Sequence, residues 1–239
     1  MTGSVHLILD EPPHSGAWNM AVDAALLEES LRTGVTFVRM YRWADATISL
    51  GYFQKHDECG NDPRLSNLPC VRRLTGGGAI LHHHEQTYSC CLPPKHPLAD
   101  QPSRLYDLMH AIIIGLLHEL GVEVTPRGHD VPCQDEPFLC FLRQAAPDLV
   151  MQGHKVLGSA QRRRRGAVLQ HGSLLLRASE HASQLLGLTD LAPRLQWTAE
   201  TTAELGHRLA AALGEMVILS DSSESAVWTL PNRARSHSS

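Results

Sequence analysis

The sequence has no apolar run of the roughly 20 residues that a membrane-spanning helix needs. The longest candidate, Ala111–Leu117, ends at His118. The N-terminus, MTGSVHLILDEPP, contains no basic segment followed by a long apolar stretch, so the signal-peptide pattern is missing as well. We therefore expect a cytoplasmic protein with no membrane partner.

The CxxC motif is also absent, because the six cysteines occur at irregular spacing. They are residues 59, 70, 90, 91, 133 and 140. This spacing argues against a disulfide framework and against a zinc ribbon, and it predicts free thiols. The net charge of −4 gives no reason to expect a nucleic-acid partner.

With 239 residues, of which 43% are hydrophobic, the chain fits one large α+β domain. Apolar spacing predicts a helix over 18–31, with Asn19 as N-cap and Gly34 as its end, and a second helix over 103–120. Further patterns predict strands over 36–43 and 46–53, a three-stranded meander over 148–176, and helical stretches over 179–187 and 198–213.

Lysine is scarce, because only three of the 21 basic residues are lysines. One of them, Lys155, is followed by the small and apolar residues Val156–Ala160. A compact ammonium suits contact with a single carbonyl oxygen. The alternative is a lysine at a strand end that reaches solvent, and spacing alone favours that alternative.

A glycine triplet, Gly76–Gly78, follows two arginines in the segment RRLTGGGA. Backbone N–H groups in such a loop can hold a phosphate or an acyl carbonyl. The segment does not match the phosphate-binding motif GxxxxGK[ST], and an isolated glycine run is more often a bulge or a tight turn.

Three stretches together resemble the biotin/lipoate A/B protein ligase family: NMAVDAALLE, RRLTGGGAILHHHEQTYS and GHKVLGSAQRRRRGAVLQHGSLLL. The resemblance implies a mixed sheet flanked by helices, like the class II synthetase-like catalytic domain of these ligases. It implies one such domain over residues 1–229 and no C-terminal accessory domain, and the polar sequence of residues 230–239 predicts a disordered tail.

The resemblance also implies a tunnel for an acyl group, with Lys155 contacting the acyl carbonyl. The residues that match binding positions of the family are Arg72, Arg73, Thr75, Gly76, Gly77, Gly78, Ala79, His82, Gly158, Ser159, Ala160 and His171. From its surroundings alone, His171 is equally well interpreted as a core histidine with satisfied hydrogen bonds.

Within the family, the chain is most similar to the cysteine-dependent octanoyltransferases. Cys140 precedes a phenylalanine and stands fifteen residues before Lys155, where those enzymes carry their nucleophile. The resemblance implies that octanoate moves from acyl carrier protein to Cys140 and then to a lysine of a lipoyl-domain protein, such as the glycine-cleavage H protein or an E2 subunit. A nearby cation such as Lys155 favours the reactive thiolate. Cys133 is the second candidate nucleophile.

Other functions remain open at this point. The triplet Gly76–Gly78 is common in ATP-dependent lipoate or octanoate ligases, which need ATP and Mg²⁺, whereas the transferase reading needs no cofactor. A lipoyl-domain amidotransferase and a non-catalytic lipoyl-binding module are further alternatives.

Two clusters suggest other roles. His82, His83 and His84 are consecutive, and consecutive strand residues point to opposite faces, so we expect no metal site there. Arg162–Arg165 predict a solvated hairpin turn beside Lys155, where basic side chains would steer acidic carrier proteins.

Overall fold

The computed structural model describes residues 3–55, 65–128, 139, 141 and 145–220. The helices are α1 (Gly16–Thr33), α2 (Pro102–Glu119), α3 (Leu188–Leu191) and α4 (Ala199–Ala211). The strands are β1 (Ser4–Leu9), β2 (Thr36–Tyr41), β3 (Thr47–Leu50), β4 (Cys70–Arg72), β5 (Ile80–His82), β6 (Glu85–Leu92), β7 (Thr125–Pro126), β8 (Leu149–Met151), β9 (His154–Arg164), β10 (Ala167–Leu175) and β11 (Met216–Ser220).

Eight strands form a mixed sheet in the order β11-β1-β2-β6-β10-β9-β8-β7. β1 pairs in parallel with both β2 and β11, and the other neighbours are antiparallel. A smaller sheet has the order β4-β3-β5. The α+β architecture with a mixed sheet flanked by helices is therefore confirmed.

Helices cover both faces of the large sheet. On one face, α1 packs through Val22, Leu26 and Leu27 against Phe37 and neighbouring apolar side chains. On the other face, α2 and α4 complete the largest apolar core. Because both faces are covered, β2, β6 and β10 are buried along their whole length, which is why their sequences are not strictly alternating.

The first helix begins earlier than its sequence pattern predicts. Ser15 is the N-cap, and its side chain accepts a hydrogen bond from the backbone N–H of Trp18. Asn19, the predicted cap, is instead buried in the helix, where its amide donates to the carbonyls of His14 and Arg42. Gly34 ends the helix with φ of 77°, as expected.

The region after β8 confirms the predicted meander of β8, β9 and β10. The basic hairpin turn is shorter than expected, because β9 extends to Arg164 and only Arg165 and Gly166, with φ of 49° and 86°, make the turn. The helix predicted over 179–187 is wrong, since this segment contains turns and an isolated bridge between Ser179 and Ala182.

The predicted free thiols are confirmed at Cys90 and Cys91, which are both buried. At Cys70 the prediction is wrong, because this cysteine is disulfide-bonded. Cys140, Cys133, Cys59 and the predicted tail over 230–239 lie outside the described residues. None of the helices in the described part of the chain is both long and apolar enough to cross a membrane.

Candidate active site

A cavity of about 340 Å³ lies between the two sheets. Residues of β5, β9 and β10 contribute ten of its 21 lining residues, and the glycine loop after β4 closes one side. Its lining residues are Met20, Tyr41, Trp43, Arg73, Gly76, Gly77, Ile80, His82, Thr87, Tyr106, Phe141, Ala145, Asp148, Lys155, Gly158, Ser159, Ala160, Gln161, His171, Gly172 and Ser173. Its size falls within the range typical of small-molecule sites.

Most of the sequence-predicted site residues meet in this cavity. Those that line it are Arg73, Gly76, Gly77, His82, Lys155, Gly158, Ser159, Ala160 and His171. Those that stand next to lining residues in the chain without lining it are Arg72, Thr75, Gly78 and Ala79. The predicted nucleophile, Cys140, lies outside the described residues.

Lys155 is buried at the wall of the cavity. Its Nζ lies 2.9 Å from Oδ2 of Asp148, and the two side chains are only 4% and 5% exposed. The same carboxylate oxygen accepts the backbone N–H of Ala145 at 2.8 Å, and the ring of Phe141 lies 5.2 Å from the ammonium. The alternative of a solvent-reaching lysine is therefore wrong.

Asp148 is a site residue that the sequence analysis did not identify. It precedes Lys155 by seven residues, and the register that pairs Val150 with Lys155 brings it back beside the lysine. The sequence feature that could have revealed Asp148 is its place directly before the apolar strand Leu149–Met151, which leads to Lys155. A buried cation needs such a counter-charge, because desolvation of an isolated ammonium is very costly.

Gly158 leaves room for the lysine side chain. A Cβ atom at this position would lie 2.8 Å from Cε and 3.1 Å from Nζ of Lys155. A side chain there would displace the ammonium, so the glycine that follows Lys155 in the strand sets the direction of its side chain.

Arg73 holds the glycine loop in place through hydrogen bonds to its backbone. Its guanidinium donates to the carbonyls of Gly76 and Gly78 at 2.8 and 2.7 Å, and to the carbonyl of Ser49 at 2.8 Å. The loop also approaches Gly51 so closely that a Cβ there would lie 1.9 Å from the carbonyl oxygen of Gly77. Because its carbonyls are tied back to Arg73, the loop keeps a fixed conformation at the cavity edge.

Arg72 has a different environment from its neighbour. It is exposed, and its guanidinium donates to backbone carbonyls of the turn that follows β3, including that of Gly51 at 3.0 Å and that of Tyr52 at 3.2 Å. In this structure Arg72 therefore stabilises the turn against which the glycine loop packs.

His171 connects the loop to the buried side of α1. Its Nε2 lies 2.6 Å from Oγ1 of Thr75, and its Nδ1 lies 3.2 Å from Oδ2 of Asp23. Burial opposes ionisation of Asp23, but the hydrogen bond from His171 and the charge of Arg39 outweigh it and hold the pKa of Asp23 below its ordinary value. The interpretation of His171 as a histidine with satisfied hydrogen bonds and its place on the cavity wall are thus both correct.

Asp23 was also missed by the sequence analysis. With Asn19 it forms an i, i+4 polar pair on the helix face that packs on the sheet. Two polar residues at that spacing inside an otherwise apolar face are the signal that could have revealed a buried polar network.

His82 is held from three sides. Its Nε2 lies 2.7 Å from Oγ of Ser49 and its Nδ1 2.8 Å from Oε1 of Glu85, while its ring stacks on Trp43 at 3.7 Å. Burial lowers the pKa of His82 below its ordinary value, although the Glu85 carboxylate acts in the opposite direction. This fixed imidazole forms part of the cavity wall.

Ser159 carries a polar network on the side of α2. Its hydroxyl lies 2.8 Å from Nε2 of His110 and 3.0 Å from the hydroxyl of Tyr88. His110 lies on the buried face of α2. Because the other residues of this face are mostly apolar, the sequence pattern indicated only core packing and gave no sign of this contact.

The basic hairpin is distant from Lys155 along the chain. Lys155 and Arg164 are nine positions apart in β9, which is roughly 30 Å at the usual rise per strand residue. The prediction that the basic hairpin lies beside Lys155 is therefore wrong. Arg163 and Arg164 also form ion pairs, with Asp100 and Glu28 respectively.

The fold and the cavity define a class of domain in which two sheets enclose a small-molecule site with a buried lysine. Residues 15–193 match the family model for the lipoyl protein ligase A/B catalytic domain. The chain belongs to this family.

Among its relatives, the octanoyltransferase LipM of Oceanobacillus iheyensis is 38% identical over 172 residues, which are 70% of this chain and 63% of that protein. The octanoyltransferase LipM of Brevibacillus brevis is 40% identical over 174 residues, which are 68% of this chain and 62% of that protein. The chain thus matches somewhat less than two thirds of the length of these relatives.

Solved structures share the fold at low sequence identity. A lipoate-protein ligase A bound with ATP has a TM-score of 0.68 and 21% identity, over 94% of this chain and 90% of that chain. A bi-partite lipoate protein ligase from Thermoplasma acidophilum has a TM-score of 0.64 and 19% identity, over 92% of this chain and 86% of that chain.

Proposed function

We propose that this protein is an octanoyltransferase that moves an octanoyl group from acyl carrier protein to a lysine of a lipoyl-domain protein. In the first step the Cys140 thiolate attacks the carrier thioester, and the carrier leaves as a thiolate, which takes a proton from solvent. In the second step the acceptor amine attacks the enzyme thioester, loses a proton, and releases the Cys140 thiol. Both steps exchange acyl bonds without net oxidation or reduction.

The observation that carries this proposal is the similarity to relatives named octanoyltransferase LipM at 38% and 40% identity. The cavity supports it independently, because apolar side chains such as Met20, Trp43 and Ile80 line part of the wall. An acyl chain gains roughly 0.8 kcal/mol for each buried methylene group, so an eight-carbon chain would be held mainly by such contacts.

Lys155 has the role of orienting the acyl carbonyl. A buried ammonium beside Asp148 is a fixed positive charge, and fixed charges are most effective where negative charge develops on an oxygen during acyl transfer. The ammonium also favours the thiolate form of the nucleophile. Backbone N–H groups of Gly76 and Gly77 are candidates for further oxyanion donors.

Thioester exchange needs neither ATP nor a metal, so the proposed reaction uses no cofactor. The two partners, acyl carrier protein and a lipoyl-domain protein such as the glycine-cleavage H protein or an E2 subunit, carry the acyl group in and out. An ATP-dependent ligase is the competing function, because the same fold occurs in a ligase solved with ATP.

The test is to incubate the purified protein with octanoyl acyl carrier protein, without ATP, and to measure its intact mass. We expect the protein to gain one octanoyl group that hydroxylamine removes. We also expect it to transfer this octanoyl group to a lipoyl domain in a single turnover. Cys140→Ala should abolish both, while Cys133→Ala, a neighbouring cysteine variant, should retain both.

Two results would contradict the proposal. Acyl transfer to the lipoyl domain only when ATP and free octanoate are supplied would establish the ligase function. An acyl adduct that persists in Cys140→Ala would show that another residue is the nucleophile.

A further inference from the structure

A cluster of titratable side chains lies outside the cavity, at the bend between β5 and β6. His83 and His84 stack on each other with ring centroids 3.6 Å apart. Nδ1 of His83 lies 3.6 Å, and Nε2 of His84 3.9 Å, from the same carboxylate oxygen of Glu180. Nε2 of His181 lies 3.9 Å from the second carboxylate oxygen of Glu180, Oε1, and its ring centroid lies 6.2 Å from that of His83.

These residues converge because His83 and His84 do not belong to a strand. β5 ends at His82 and β6 begins at Glu85, so the rule that consecutive strand residues point to opposite faces does not apply between them. The alternation on which the sequence argument against a metal depended therefore does not hold for His83 and His84, while His82 belongs to β5 and lines the cavity.

We propose that His83, His84 and Glu180 form a binding site for a divalent transition-metal ion, with Zn²⁺ as the expected occupant. Metal–nitrogen and metal–oxygen bonds of about 2.0–2.2 Å in tetrahedral geometry place ligand atoms about 3.3 Å apart. The separations of 3.6 and 3.9 Å from the Glu180 oxygen exceed this spacing by less than an ångström, and the two stacked imidazoles turn apart so that both lone pairs face the ion. His181 is a fourth candidate ligand, and water can take its place.

The backbone around this site is fixed before any ion binds. The carbonyl of His84 accepts the N–H groups of both Leu176 and Arg177, at 3.0 and 3.1 Å. The turn that carries Glu180 is closed by the bridge between Ser179 and Ala182. Both ligand-bearing segments are therefore tied together, and Glu180, whose side chain is 68% exposed, can meet an ion from solvent.

The present partners of the two imidazoles also indicate which ions fit. Nε2 of His84 lies 3.0 Å from the Arg177 guanidinium, so its lone pair already faces a positive group. Nδ1 of His83 lies 2.9 Å from the Ser179 hydroxyl. An ion must displace both contacts, which favours Zn²⁺, Ni²⁺ or Cu²⁺, with strong affinity for imidazole, over Mg²⁺ or Ca²⁺.

The site is tested by titrating chelator-treated full-length protein with Zn²⁺ at pH 7.5, where ordinary imidazoles are mostly neutral. We expect one ion per chain and a melting temperature raised on the order of 5 °C at saturating Zn²⁺. His83→Ala, His84→Ala and Glu180→Gln should each weaken binding at least about ten-fold, while Mg²⁺ should not compete. His118→Ala, which removes an exposed histidine from the separate pair with Glu123, should leave binding unchanged.

Arg177→Gln sharpens the test, because it removes the cation that occupies the ligand atom of His84, and it should tighten Zn²⁺ binding. Co²⁺ in place of Zn²⁺ identifies the ligand type, and we expect visible absorption without a thiolate charge-transfer band. Binding that survives His83→Ala and His84→Ala would place the ion elsewhere, and a thiolate band would assign it to cysteines. Either result would overturn the proposal. An unchanged affinity in Arg177→Gln would contradict the inferred ligand atom of His84.

Discussion

Two buried cations of this protein, Arg39 and Lys155, lie in contrasting surroundings. The Arg39 side chain is fully buried and donates to Asp10, to Asp23 and to Asn19, and it stacks on the ring of Tyr41 at 3.9 Å. It does not line the cavity. Lys155 is nearly as buried, pairs with Asp148, and forms part of the cavity wall.

The difference teaches how each cation is used. The planar guanidinium can satisfy several acceptors at once, which makes Arg39 suited to joining α1, β1 and β2 in one network. Through Asp23 this network reaches His171 and thus the glycine loop. The compact ammonium of Lys155 offers a single charge at the surface of the cavity, which suits contact with a substrate. Arg39 therefore joins elements of the fold, whereas Lys155 is placed where the proposed function needs a cation that contacts the substrate.

Replacing Arg39 should have the largest effect on stability. Arg39→Leu leaves Asp10 and Asp23 buried without their cation, and removal of one partner of a buried ion pair typically costs about 3–5 kcal/mol. We expect urea unfolding to show a loss of this size. Arg208→Ala, which breaks exposed ion pairs with Glu119 and Glu204, should cost far less, because solvent and salt screen exposed pairs. Equal losses in the two variants would contradict the assignment of Arg39 to the architecture.

Replacing Lys155 should instead affect catalysis most. Lys155→Arg keeps the charge, but the larger guanidinium meets the space next to Gly158 and places its charge differently. We expect single-turnover octanoyl transfer to fall roughly 10²–10³-fold, the range for loss of one oxyanion donor. Lys95→Arg, at an exposed lysine, should transfer at the wild-type rate. Full activity of Lys155→Arg would show that the ammonium does not position the acyl carbonyl.

The sequence predicts those parts of the fold and the site that depend on local motifs or on periodicity. Lys155, Gly158 and His82 belong to short local motifs, so their places could be predicted with the family resemblance. The fold class followed from helical and strand periodicity. The pairing of β1 with β11 depends on contacts between the two ends of the described chain, which leave no local pattern.

The partners of the site residues were harder to predict, because they come from distant elements. Asp23 on α1 meets His171 on β10 across 148 residues of sequence, and His110 on α2 meets Ser159 on β9 across 49. Each is a polar residue within an apolar helical face, so periodicity assigns it to the core. Only the packing of the helices on the sheet shows which buried polar groups meet.

Asp148→Asn tests the counter-charge of Lys155 with a smaller expected effect. The amide keeps the size of the side chain and can still accept a hydrogen bond, but the ammonium loses its anionic partner. A small displacement of the ammonium would lower the transfer rate about 10- to 100-fold. Asp107→Asn serves as the control, since it removes an acidic group of α2 that does not line the cavity. A wild-type rate in Asp148→Asn would mean that the Asp148 carboxylate is dispensable for positioning the lysine.

The smallest effect concerns acid stability and Asp23. His171, Arg39, Tyr41 and Ser89 contact this carboxylate, and its pKa is lowered from 3.8 because hydrogen bonding and the Arg39 charge outweigh the cost of burial. Below about pH 4 the unfolded chain binds a proton that the folded protein resists, so the stabilisation by Asp23 is present at neutral pH and lost as the pH falls through the lower folded value. Urea unfolding of wild type and Asp23→Asn between pH 3 and 7 measures this contribution. We expect the variant to be less stable at neutral pH and to lose less stability on acidification than the wild type. Parallel pH profiles would mean that the Arg39 network stabilises the fold without depending on the charge of Asp23.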